Sequence, residues 1–181
     1  MTDPAPVVDC ANDVDCVINE LITALREAFD PNSACPPLGG GTKHVRVFAG
    51  DAIPLSAWDA HRDGEGCDQP FVWVRLVRRY RTQQFPAPFV GPAPCGLPKA
   101  VAIEIGVGRC AVVDTEPAWE DYANEAEISI DDSWRIDLAL CRAMGRIERK
   151  ECGTATAIDA VVPYGPEGGV IAQIGTAYVQ L

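Results

Sequence analysis

Five prolines fall within sixteen residues, QQFPAPFVGPAPCGLP at 83–98, between two segments that alternate as strands do. Proline donates no ladder hydrogen bond and fixes its φ, so this stretch cannot lie inside a sheet. The chain must leave the sheet there in an extended loop and return, which makes the flanking strands antiparallel neighbours. The outgoing strand, FVWVRLVRRYR at 71–81, sets Val72, Val74 and Leu76 on one face and Phe71, Trp73, Arg75, Val77 and Arg79 on the other. The returning one, KAVAIEIGVGRC at 99–110, has Val101, Ile103, Ile105 and Val107 on one face. Its other face is nearly bare, with Ala100, Ala102, Gly106 and Gly108 interrupted by Glu104, as when a helix packs close against a strand. Glu104, set among these small residues, could act as a general base, but a carboxylate so placed more often reaches the surface or an arginine.

The remaining segments set the fold class. Val14, Val17, Ile18, Leu21, Ile22, Leu25 and Phe29 recur at the spacing of one helical face, predicting a helix over 13–29. Asn12 or Asp13 can cap it, and residues 1–12 read as a flexible arm. Val45 and Val47 alternate with His44 and Arg46 as a short half-buried strand, while the polar AWDAHRDGEGCDQP at 57–70 reads as a loop. Asp114 or Thr115 ahead of Pro117 marks a helix start, and Asp131, Asp132 and Ser133 mark a second start after a bend. From there Ile136, Leu140, Met144 and Ile147 keep helical register through 133–149, and the tail reads as two strands around YGPEGG. This order is α+β: a small, mostly antiparallel sheet with an N-terminal helix and a second helical segment packed on it, burying Leu21, Leu25, Ile136, Leu140 and Met144. One domain over 13–181 is expected, with a proline-rich loop at 82–98.

Several function classes recede. No apolar run reaches the roughly 18 residues of a membrane span, and the acidic N-terminus lacks the features of a cleaved signal, so a soluble chain made in a cytoplasm is expected. The eight cysteines include no CxxC pair and no Cys/His cluster, which argues against zinc and for buried thiols, with oxidation open to a particle that leaves the cell. Antiparallel pairing would still bring Cys67 towards Cys110, whereas Cys95 and Cys110 lie at opposite ends of one strand, ~35 Å or more apart. There is no GxSxG, HExxH or helix-opening GxGxxG, and GGGTK at 39–43 lacks the spacing of a phosphate loop. No catalytic residue, cofactor or metal is expected.

Charge is the more telling signal. In a chain of net charge −11, residues 71–111 hold six basic side chains and one acidic, and residues 112–140 hold one basic and nine acidic. A nucleic-acid binder needs a wider basic footprint than one strand. A subunit with one basic and one acidic face can instead join copies of itself head to tail, and such contacts close into a ring when the rotation allows. Arg75, Arg78, Arg79 and Arg81 against Glu120 and Asp121 of the next subunit are the candidate contact. The plainer alternative is that Arg78, Arg79 and Arg81 pair within their own chain. Trp58, Trp73, Trp119 and Trp134 read as core or interface anchors.

Three stretches together, VWVRLVRRYRTQQFPAPF, CGLPKAVAIEIGVGRC and PAWEDYANEAEISIDDSWRIDLALCRAM, resemble the tail terminator family, tail-end proteins at the neck of long-tailed bacteriophages of actinobacteria. The likeness runs over about 12–181 and lies in the order of helix, small sheet, second helical segment and closing strands. It implies a structural virion protein of the tail or neck, made in the host cytoplasm, without enzymatic activity. The family's ring, commonly of six subunits, caps the tail tube, ends its polymerisation and offers its other face to the head-to-tail stopper or connector. Genomic DNA passes through the lumen without sequence recognition, and an acidic bore would let it slide. The family brings no catalytic, cofactor or metal residue and no membrane partner. The cysteine content and the 57–70 insertion depart from its usual pattern. The alternative is another neck component, a strand-rich stopper or a mostly helical adaptor, or a minor tail protein. A small host-directed enzyme is disfavoured by the missing motifs.

Overall fold

Proline-imposed departure from the sheet organises the molecule as expected. A computed structural model describes residues 12–181; the arm expected at 1–12 and Cys10 lie, but for Asn12, outside them. Numbered in chain order, the strands are β1 (Val45–Ala49), β2 (Phe71–Arg81), β3 (Lys99–Cys110), β4 (Ala155–Ile158), β5 (Val162–Glu167) and β6 (Val170–Gln180). The helices are α1 (Asp15–Ala28), α2 (Leu55–Gly64) and α3 (Trp119–Arg149). β2 and β3 pair antiparallel from Phe71 opposite Gly108 to Arg81 opposite Lys99, and the proline-rich segment between them carries only a short 3-10 turn at Pro94–Gly96. β6 lies antiparallel on the far side of β3, and β4 and β5 in turn line the outer edge of β6. β1 joins β2 in parallel, the one parallel pair in an otherwise antiparallel sheet. The fold is α+β.

The core forms where α1 and α3 lie on one face of this sheet. Leu21, Leu25 and Phe29 from α1 meet Ile136, Leu140 and Ile147 from α3 over Val74, Val101, Ile103 and Ile105, all fully buried. The predicted helix faces are therefore the packed ones, and each buried aliphatic chain contributes roughly 1.5–3 kcal/mol. At the entry to α1, Asn12 Oδ1 accepts the Val14 N–H at 3.3 Å, while Asp13 turns outward to Arg79. Among the described residues, no helix is long and apolar enough to cross a membrane.

Five expectations need correction. Residues 57–70 are not all loop: α2 occupies Leu55–Gly64 because Trp58 and His61, three apart, bury one helical face on Phe71. The second helical segment does not begin at 133, since α3 runs unbroken through 119–149. Asp131 and Asp132 are not first-turn acids but mid-helix partners of Arg135 and Arg109. The tail holds three strands, because the chain leaves β6 at Asp159–Val161 between β4 and β5; the β5–β6 hairpin itself turns on Gly168 and Gly169, both at positive φ. The cysteines, finally, are not simply buried thiols. Cys16 is bonded to Cys152 and Cys67 to Cys110, while Cys35, Cys95 and Cys141 are free and exposed. The approach of Cys67 to Cys110 follows from the β2–β3 register, as expected.

Two outcomes test this packing. Leu140→Asp should abolish folding, because an unpaired buried carboxylate costs several kcal/mol against a total of about 5–15 kcal/mol; an unchanged melting profile by circular dichroism would contradict the assigned helix face. The Cys16–Cys152 bond spans 136 residues and the Cys67–Cys110 bond spans 43, so Cys152→Ser should cost more than Cys67→Ser, about 5 against about 4 kcal/mol in chain-entropy terms. Denaturant midpoints with and without reductant would measure both.

Candidate functional site

The sheet's second face, turned away from α1 and α3, is shaped by missing side chains. A Cβ on Gly106 would fall 2.2 Å from the Trp73 ring, so the indole lies across a strand that has no room for one. Phe71 and Trp73 stack at 5.7 Å, and Trp58 of α2 meets Phe71 edge-on at 5.9 Å. This aromatic cluster, not the backbone of a helix, covers much of the bare face of β3. It leaves an open cleft of about 580 Å³, walled by Ile53, Trp58, Phe71, Trp73, Val170 and Ile174 and rimmed by Tyr164 and Glu167 of the β5–β6 hairpin. Arg75 and Glu104 form its polar floor. They stand directly opposite each other on β2 and β3, joined by two hydrogen bonds. Glu104 Oε1 also accepts from Trp73 Nε1 at 2.9 Å, and Arg75 Nη1 donates to Gly50 O at 2.8 Å. Bonding to Glu104 raises the Arg75 pKa above its usual value. Glu104 is thus the arginine partner that its sequence position suggested.

The four arginines do not form one ribbon. A bulge at Val77 shifts the register between Leu76 and Arg78, so that Arg78 and Tyr80 share the face of Trp73 and Arg75, while Arg79 falls opposite Val101 on the helix-bearing face. There Arg79 pairs with Asp13 at 2.6 Å and bonds Asn12, and Lys99 reaches the other oxygen of Asp13 at 3.3 Å. Arg81 Nη1 donates to Leu97 O at 2.8 Å. Arg78 lies over the Tyr80 ring, 5.3 Å from its centroid, and has no carboxylate or carbonyl partner among the described residues. Of the three arginines in the intrachain reading, Arg79 alone meets a carboxylate among the described residues, Arg81 ends on a carbonyl and Arg78 on neither, while Arg75, outside that reading, pairs with Glu104.

The acidic half of the expected contact lies elsewhere. Glu120 and Asp121 occupy the exposed first turn of α3, where Asp121 Oδ2 accepts the Ala118 N–H at 2.9 Å. They do not approach the arginines of their own chain. Trp119, Ile130 and Trp134 recur on the outward side of α3 at 88%, 69% and 52% exposure. Further along, α3 is fixed by two ion pairs. Arg109 Nε and Nη2 clasp Asp132 at 2.6 and 2.9 Å, and Arg135 Nε bonds Asp131 at 2.7 Å. The same guanidiniums hold the 35–40 loop: Arg109 donates to Gly39 O and Gly40 O, and Arg135 to Cys35 O and Pro36 O as well as to Ala28 O at the end of α1. Burial pushes the Asp132 carboxyl above its ordinary pKa even with Arg109 beside it.

Compared with protein-family models and with curated proteins, the chain matches none. Among the described residues, no cluster of three His, Cys, Asp or Glu side chains could hold a metal ion. Sequence reasoning did not find the cleft, whose walls come from four separate segments; the one local signal was Trp58 with His61 in a stretch otherwise polar.

Two variants read the electrostatics. Asp132→Ala should cost about 3–5 kcal/mol, because it removes both acceptors that the buried Arg109 guanidinium holds on α3. Bonding to Arg79 lowers the Asp13 pKa from 3.8, so that pair's contribution is complete above 3.8 and is lost as pH falls through the lowered value. Asp132 acts with the opposite sign: its raised value makes the native chain hold that proton more tightly, and its contribution shrinks as pH rises from 3.8 through the raised value. Asp13→Asn should therefore lower the denaturant midpoint at about pH 6, a difference that fades as pH falls below 3.8 through the lowered value.

Proposed function

We propose that the chain is a structural subunit of a phage tail terminator ring, commonly six copies, which caps the tail tube, ends its polymerisation and joins the tail to the head connector. The observation that carries this reading is the outward face of α3, where exposed Trp119, Ile130 and Trp134 stand among Glu120, Asp121 and Glu127. An apolar stripe of that kind, rimmed by charge and unused by the chain's own core, suits a protein interface. The open cation Arg78 lies on a different element, so a contact between the two is head to tail and can close a ring. In this reading the acidic remainder of the subunit lines a lumen through which DNA slides. A second reading, an adaptor-type connector, is favoured by the 31-residue length of α3.

Size-exclusion chromatography with light scattering, followed by negative-stain microscopy, tests the proposal directly. A closed ring supports it, and a chain that stays monomeric both alone and on tail tubes would overturn it. Arg78→Glu should weaken assembly and leave the monomer folded, since Arg78 holds no carboxylate among the described residues, and particles made with it should carry tails of irregular length or tails unjoined to heads. Reversing Glu120 and Asp121 to Lys in the same molecule should restore part of the assembly. Normal tails from Arg78→Glu would return that arginine to a merely solvated role.

A further inference from the structure

We infer that the aromatic end of α3 on one copy of this chain seats in the second-face cleft of the next copy, an inference that rests on the ring reading and narrows it to a contact. Trp119 and Tyr122 sit in the first turn of α3 at 88% and 44% exposure, with their rings 6.1 Å apart. Among the described residues, nothing covers the indole. The cleft, about 580 Å³, falls within the ~300–1,000 Å³ of sites that enclose a ligand. Its polar floor is already satisfied, because Glu104 takes Trp73 and Arg75 while Arg75 also takes Gly50. An entering group needs to bring apolar surface and no hydrogen bond to that floor. A tryptophan side chain buries ~150–250 Å² and is among the residues that most often anchor interface centres.

Charge selects a second copy as the occupant. Glu116, Glu120 and Asp121 flank Trp119, and there is no basic residue anywhere from 110 to 134. On the receiving chain Arg78 follows Arg75 on the same sheet face, ~10 Å further along at about 3.3 Å per residue. With the indole in the cleft, the Glu120 and Asp121 carboxylates come within a side chain's length of that unpaired guanidinium. Acids stand at both ends of the cleft: Glu167, bonded to the Tyr164 hydroxyl, at the hairpin, and Asp51 close to Arg75. Arg78, held by no carboxylate among the described residues, is the cation that draws an acidic arm in from its side. One contact thus joins an apolar anchor to a cation with no carboxylate partner among the described residues.

The test uses the full chain with benzoylphenylalanine in place of Trp119, mixed as isotopically labelled and unlabelled copies and irradiated under assembling conditions. Mass spectrometry should find cross-links from position 119 to residues 51–58 or 164–174 of the other copy. Trp119→Ala should weaken self-association about tenfold or more without moving the melting midpoint, as removal of an exposed anchor requires. A wild-type chain that never self-associates overturns the ring reading and this contact with it. An assembling wild type whose Trp119→Ala variant assembles equally well overturns the contact alone. So do cross-links that run to another surface, within one copy or to a different protein.

Discussion

Two buried guanidiniums hold the joint on which the rest of the molecule is mounted. Arg109 rises from β3 and Arg135 from α3, and between them they bind Asp131, Asp132, the end of α1 and the carbonyls of the 35–40 loop. Breaking either would strand charge in the interior, which costs more than the intact pairs contribute. Because the two guanidiniums give donors to the carbonyls of Cys35, Pro36, Gly39 and Gly40, the loop can pass under α3 without secondary structure of its own. The arrangement also fixes the direction of α3: the helix is clamped at 131–135, so its first turns extend beyond the sheet and present their aromatic and acidic side chains to solvent.

A single unpaired residue redistributes the charge of β2. Without the bulge at Val77, Arg75 and Arg79 would share a face, as strict alternation predicts. With it, Arg79 drops to the helix side and is occupied by Asp13, while Arg78 takes its place beside the cleft. A strand that reads as a continuous cationic surface becomes one structural ion pair, one clamp on the start of α1, one tie to the proline-rich loop and one open charge. The functional reading depends on the last of these, which alternation would have assigned to the wrong side.

What was legible in the sequence was whatever repeats. The apolar period of α1, the alternation of β2 and β3 with their register, the faces of Leu21 and Leu140, and the neighbourhood of Cys67 and Cys110 all follow from local spacing and the proline break. What was not legible depends on tertiary partners. Asp131 and Asp132 resemble a helix start because acids suit a first turn, and only Arg109, 23 residues away, makes them interior. α2 hides in polar residues because two side chains suffice to anchor it. The Val77 bulge has no glycine or proline to announce it. Glu120 and Asp121 could be read as exposed acids, and pairing of the β2 arginines within the chain stood open as the plainer alternative, but which arginine meets which partner depends on the bulge and could not be read.

The second-face cleft is recorded chiefly as absent atoms. Trp73 can lie across β3 because position 106 carries no Cβ, and Gly108 and Ala172 keep the neighbouring surface low. The sheet works here as a mould, with its depth set by what has been left out of the casting. A search for functional groups passes over such a surface, since glycine and alanine offer nothing to count. A mould selects by volume and outline. Its fit would change with single methyl groups while every charged and hydrogen-bonding residue around it stayed the same.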